Sequence, residues 1–130
     1  MPHLTIQHSP ALGQRHDMTV LCDQLRQVLI AQRCFDPGGV RVRAWTVPAE
    51  ALADGHRDNV CADMVLRMGT GRSVETRQEV GEALMAAAET FFASELREPH
   101  MIVSLEIVEI DEDLSWKTNS IHQRLKGAAA

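Results

Sequence analysis

Met64-Val65-Leu66-Arg67-Met68-Gly69-Thr70-Gly71-Arg72-Ser73-Val74-Glu75-Thr76-Arg77 runs from an apolar stretch, through a glycine break, into a helix start. The apolar part begins at Val60, and Val60 to Met68 reads as a strand. Gly69-Thr70-Gly71 interrupts it, and Ser73 is placed to cap a helix. Beyond it Val80, Leu84, Ala88 and Phe91 recur at helical spacing, with Phe92 and Leu96 beside them, until Pro99 ends the run. Met101 to Ile110 is a further strand with Val103, Leu105 and Ile107 on one face. A helix between two strands joins a parallel pair by a crossover, so this half reads as a βαβ unit.

The amino-terminal half repeats the pattern in type, with little identity of letters. His3 to His8 alternates Leu4 and Ile6 with Thr5 and Gln7, the period of a half-buried strand. Ser9 to His16, with Pro10 and Gly13, reads as a connection. Asp17 is a plausible N-cap for a helix carrying Met18, Leu21, Leu25, Val28 and Leu29, which stops before Asp36-Pro37-Gly38-Gly39. Val40 to Val47 is then a strand with Val40, Val42 and Ala44 on one side, and Arg41 and Arg43 together on the other. The expected fold is α+β: two βαβ units forming a four-stranded sheet with two helices on one face. The opposite face still carries apolar residues, and self-association is the simplest way to bury it. Residues 1–126 read as a single domain. Within it, Ser115 to Leu125 reads as a short turn or helix, and 127–130 as a loose tail.

Composition narrows the function classes. At 130 residues with 45% hydrophobic but only 4% aromatic content, the chain has an aliphatic core to build. A net charge of −5 argues against nucleic acid as a partner. No stretch approaches the ~20 consecutive apolar residues of a membrane span, and no secretory signal is visible. The three cysteines, Cys22, Cys34 and Cys61, sit among apolar residues, which suits reduced, buried thiols in a cytoplasmic protein. The six histidines show no metal-ligand spacing, and no nucleophile elbow is present. The expectation is therefore no metal.

The residues that could carry chemistry are few. Pro2 most often marks nothing more than a processed terminus. Removal of Met1, however, would leave a terminal amine held by a strand, with a reference pKa of about 7.7–8.0 that cations and desolvation would lower. Such a base suits proton transfer near neutrality. Arg41, Arg43 and Arg72 would individually be solvated surface charges. Arg72 is distinguished by its glycine-rich turn at a helix start, where backbone N–H groups and the planar guanidinium suit an anion. The turn lacks the lysine and spacing of a phosphate loop, so a carboxylate fits better than a nucleotide.

In this order the motifs resemble the 5-carboxymethyl-2-hydroxymuconate isomerases of the tautomerase superfamily. The resemblance begins at Met1-Pro2-His3 and passes through Gly39-Val40-Arg41-Val42-Arg43 and Ala53-Asp54-Gly55. It is most specific over 64–77, and continues through Glu106-Ile107-Val108-Glu109-Ile110 and Lys117-Thr118-Asn119-Ser120-Ile121-His122. It implies a tautomerase-like fold assembled as a homotrimer, with Pro2 as base and a small-molecule carboxylate as substrate. It places substrate binding on Arg41 and catalytic binding on Arg72, with Arg43 a secondary binding candidate. One base used twice would need no cofactor. The alternatives it leaves open are a tautomerase of another enol or dienol acid, and a non-catalytic trimeric member of the same fold.

Overall fold

The computed structural model describes residues 1–129, with side chains through 127. Strand β1 (His3–His8) is followed by helices α1 (Pro10–Arg15) and α2 (Met18–Ala31), a 3-10 turn (Pro37–Gly39) and strand β2 (Arg41–Thr46). The second half contains β3 (Val60–Met68), α3 (Val74–Phe91), the single turn α4 (Ala93–Leu96), β4 (Met101–Glu109) and α5 (Ser120–Ala129). The strands form one sheet in the order β2-β1-β3-β4. β1 pairs parallel with β2, and β3 parallel with β4, while β1 and β3 meet antiparallel at the centre. Each half is thus a helix-bridged parallel pair, as the apolar periods predict.

Caps and glycines fix where the helices begin. Asp17 accepts from Thr19 N at the start of α2, and Ser73 Oγ accepts from Thr76 N at the start of α3. Gly71 has φ +99, a left-handed conformation that lets the chain turn from β3 into α3 without steric cost. Leu4 and Ile6 of β1 and Ala62, Met64, Leu66 and Met68 of β3 are fully buried beneath Leu21, Leu25 and Leu29 of α2 and Val80, Leu84 and Ala88 of α3. Phe92 is the one aromatic among the fully buried side chains, so the core is aliphatic as composition requires. Burying each of these leucines is worth roughly 1.5–3 kcal/mol, the main driving force for seating the helices on the sheet.

Three local expectations differ from the structure. Ser9 to His16 is not plain connection: Pro10–Arg15 is helical, because proline is tolerated in a first helical turn. The expected tail is helical through Ala129, and position 130 lies outside the described residues. Cys22, Cys34 and Cys61 are unpaired but only half-buried.

The sheet face away from the helices is more polar than its strand periods suggest. The register aligns Arg41, His3, Arg67 and Val108 in one row, and Arg43, Thr5, Val65 and Glu106 in the next. Trp45, Gln7, Asp63 and Ser104 follow. Apolar residues are present but interleaved with charge. No helix among the described residues is long and apolar enough to cross a membrane.

Candidate active site

The first residues of β1 open into a cavity of about 780 Å³ lined by Met1, His3, Arg41, Arg67, Lys117 and Arg124, among others. A smaller lobe of about 180 Å³ lies on the other side of Met1, beside Gly69, Thr70 and Glu112. Pro2 is buried at the start of the strand, and its carbonyl accepts from Arg41 N at 3.0 Å. The terminus is therefore fixed by sheet pairing rather than free in solvent.

The carboxy-terminal segment forms the rest of the wall. After β4, Ile110 N donates to Met68 O, and Asp111 accepts from the backbone of Asp113 and Leu114 to turn the chain. Residues 111–119 then form a strap tied at two points. Thr70 Oγ1 donates to Glu112 at 2.7 Å, and Asn119 Nδ2 donates to Gly38 O at 2.7 Å. Asn119 also caps α5 by accepting from His122 N. A side chain at position 38 would meet the His122 backbone at 2.6 Å, so glycine there permits α5 to dock. His122 Nδ1 adds a contact to Asp36 Oδ1 at 3.0 Å.

The arginines predicted from sequence separate in the structure. Arg41 lines the cavity, with Nη1 donating to His3 Nδ1 at 3.3 Å and Nη2 lying 3.6 Å from the Met1 sulfur. Arg72 sits behind the terminus. It donates to Cys34 O through Nε (3.2 Å) and Nη2 (2.6 Å), and to Gly69 O through Nη1 (3.2 Å), with its guanidinium 4.9 Å from the Phe35 ring centroid. Carbonyls and a ring face orient that charge without neutralising it. Arg43 is exposed and lies two residues farther along β2, outside the cavity wall.

The electrostatics favour a neutral terminal amine. Burial, then the charges of Arg72, Lys117 and Arg41, hold the Met1 amine below its ordinary value of 8.0, and Asp36 pulls weakly the other way. His3 is pushed down to about 4 by burial and by Arg41, Arg67 and Arg43, so it is neutral near pH 7 and accepts from Arg41. Sequence reading missed His3, Arg67, Lys117 and Arg124 as cavity residues. Arg67 carried a usable signal, since the β1 register places it on the same sheet face as Arg41.

Away from the cavity, His56 and His100 stack with centroids 4.2 Å apart, and with Asp58 they bring three ligand-type atoms within 4.8 Å of one another. Their spacing in sequence gives no hint of this. Asp58 N already donates to His56 Nδ1 at 3.1 Å, which occupies that nitrogen.

With this geometry in place, the likeness to known proteins is informative. A family model described as 5-carboxymethyl-2-hydroxymuconate isomerase matches residues 2–125. The 5-carboxymethyl-2-hydroxymuconate Delta-isomerase of Escherichia coli is 32% identical over 126 residues, covering 97% of this chain and 100% of that protein. A crystal structure of a 5-carboxymethyl-2-hydroxymuconate isomerase from Deinococcus radiodurans R1 superposes with a TM-score of 0.89 at 36% identity, covering 95% of this chain and 93% of that one. A fused 4-OT wild-type symmetric trimer shares the fold at a TM-score of 0.67 and 13% identity, over 88% of this chain and 92% of that one.

Proposed function

The chain belongs to the 5-carboxymethyl-2-hydroxymuconate isomerase family, and on that premise we propose that it isomerises 5-carboxymethyl-2-hydroxymuconate with the nitrogen of Pro2 as base. It is an isomerase that shifts a C=C bond. Once Met1 is removed, Pro2 N takes the proton of the substrate's 2-hydroxyl and the 2-oxygen becomes a carbonyl. The two conjugated double bonds rearrange to one between carbons 3 and 4, and the protonated proline returns the proton to carbon 5. The product is the 2-oxo-3-ene isomer. Base and proton donor are regenerated in one cycle, so the step needs no redox partner.

The observation that carries this reading is the seat of Pro2: buried, its carbonyl accepting from Arg41 N, and next to Met1. Met1 lines a cavity with Arg41 and Lys117, and its amine is lowered by burial and by Arg72, Lys117 and Arg41. Arg41 is placed to hold a carboxylate. Arg72, fixed by two carbonyls, supplies preorganised positive charge for the developing oxyanion. Arg43, two residues beyond the cavity wall, is assigned a secondary role in attracting the anion. We also read the protein as a cytoplasmic homotrimer. Its unpaired cysteines favour that compartment, and the shallow apolar groove between α3 and β4, about 630 Å³ with Val74, Met85, Val103 and Leu105, favours contact between copies.

Intact mass followed by an ultraviolet assay with 5-carboxymethyl-2-hydroxymuconate tests the reading. The expected result is a mass lacking Met1 together with rapid loss of the dienol signal. Protein lacking Met1 that leaves the dienol unchanged would overturn the substrate and move the search to other enol acids.

A further inference from the structure

The cavity at the β1 terminus holds more positive charge than Arg41 accounts for, and Arg72 stands outside its lining on the carbonyls of Cys34 and Gly69. Lys117, Arg67 and Arg124 also line it, and none of these three makes an ion pair among the described residues. Lys117 stands apart in how it is delivered. Arg67 belongs to the sheet face and Arg124 to α5, whereas Lys117 lies on the 111–119 strap, two residues before the Asn119 tether to Gly38. The Thr70–Glu112 bond holds the other end of that strap against the turn that carries Arg72. An exposed lysine would ordinarily be a solvated surface charge, but this one is borne on a segment fastened at both ends to the walls of the site. Its charge also acts on the Met1 amine ahead of that of Arg41.

We propose that Lys117 is a specificity-determining residue that binds the carboxylate of the substrate's carboxymethyl branch, an inference that rests on the isomerase reading above. The substrate has three carboxylates, and of the cations around the terminus Arg41 lies on β2, Arg67 on β3, Arg72 in the turn before α3 and Arg124 on α5, while Lys117 alone lies on the strap. Arg41 and Arg72 are already oriented, by His3 and by backbone carbonyls respectively. Lys117 has no such partner, and a compact ammonium on a flexible stem suits a carboxylate carried on a rotatable methylene branch. That branch does not enter the conjugated system that rearranges. Its contact is therefore the same in ground and transition states, and losing it raises KM while sparing kcat.

The test compares the wild type with Lys117→Met and Lys117→Arg on the branched dienol and on unbranched 2-hydroxymuconate, with the latter scored as a competitive inhibitor if it is not turned over. For Lys117→Met the expected result is a KM for the branched dienol about tenfold higher or more, because a charge-assisted contact is lost. Its kcat should stay within about twofold, and KM or Ki for the unbranched diacid should be nearly unchanged. Lys117→Arg should restore most of the loss. Equal losses on both compounds, or no loss on either, would overturn the assignment of Lys117 while leaving the isomerase reading intact. A wild-type protein lacking Met1 and inactive on the branched dienol would overturn both together.

Discussion

The two ends of β1 are built from similar residues and put to opposite uses. At the His8 end, the buried polar side chains have protein partners. His8 Nδ1 donates to Ser9 O, Ser9 Oγ donates to Glu50 and accepts from Cys61 N, and His16 Nε2 donates to Glu95 at 2.9 Å. Glu95 itself is buried, with Arg15 and Ser94 also reaching it, while His16 packs on Phe91 and Phe92. At the Pro2 end, Arg41 finds only neutral His3 and the Met1 sulfur, and Lys117, Arg67 and Arg124 find no carboxylate among the described residues. Closed polar networks stabilise a fold, whereas unpaired cations grouped around a cavity leave it incomplete until an anion arrives.

That contrast can be broken most severely at the open end. Pro2→Ala keeps the backbone carbonyl that Arg41 N requires, so far-ultraviolet circular dichroism and melting should be nearly unchanged, while kcat falls roughly 10²-fold with loss of the tuned base. Full turnover by this variant would remove Pro2 from the chemistry. The closed end should respond in the reverse sense. Burial raises the pKa of Glu95, but His16, its own backbone N–H and Ser94 outweigh this and hold the carboxylate below its usual range. Glu95→Ala should therefore cost about 2–3 kcal/mol in urea unfolding, by stranding His16 and Ser94, with kcat/KM unaltered. A large loss of activity without loss of stability would contradict the division drawn here.

His3 sharpens the comparison by a smaller amount. Its pKa is about 4 when folded, against 6.5 for an ordinary histidine, so between those values the unfolded chain binds more protons. The contribution is fully present above pH 6.5 and is lost as pH falls toward 4. The wild type should therefore lose more stability over that window than His3→Asn does. Because solvent reaches the ring, the excess should stay below about 1 kcal/mol. Parallel stability curves for the two proteins would show that His3 is not held neutral by its arginine neighbours.

Much of the scaffold was legible because it rests on local or periodic signals. Strand period, the Asp17 and Ser73 caps and the Gly69–Gly71 break placed β1, β3, β4 and the starts of α2 and α3 within a residue. By contrast, α2 ends at Ala31 rather than just before Asp36, and the helix read as running to Pro99 breaks at Phe92 into α3 and α4. Helix α1 escaped because Pro10 and Gly13 read as breakers, although proline is compatible with a first helical turn and Gly13 fits beside the His8 ring. The site was legible only in part. Arg41 pairs directly with His3, the residue after Pro2, so the strand pattern brings Pro2 and Arg41 together. Lys117 reaches the cavity because a strap returns across the molecule and is tied by Thr70 and Asn119, contacts between residues 42 and 81 positions apart in the chain. No local pattern encodes a return of that kind.

The seat of Met1 has a consequence for how the protein comes into use. Its sulfur lies against Arg41 and its backbone beside Gly39, within the space a substrate would need, while its peptide bond converts the Pro2 nitrogen into an amide that cannot accept a proton. On the proposal that Pro2 N is the base, a chain that keeps Met1 is blocked by its own first residue. On the same proposal, removal of Met1 is a maturation step, and the quantity of working enzyme follows the completeness of that trimming as well as the rate of translation.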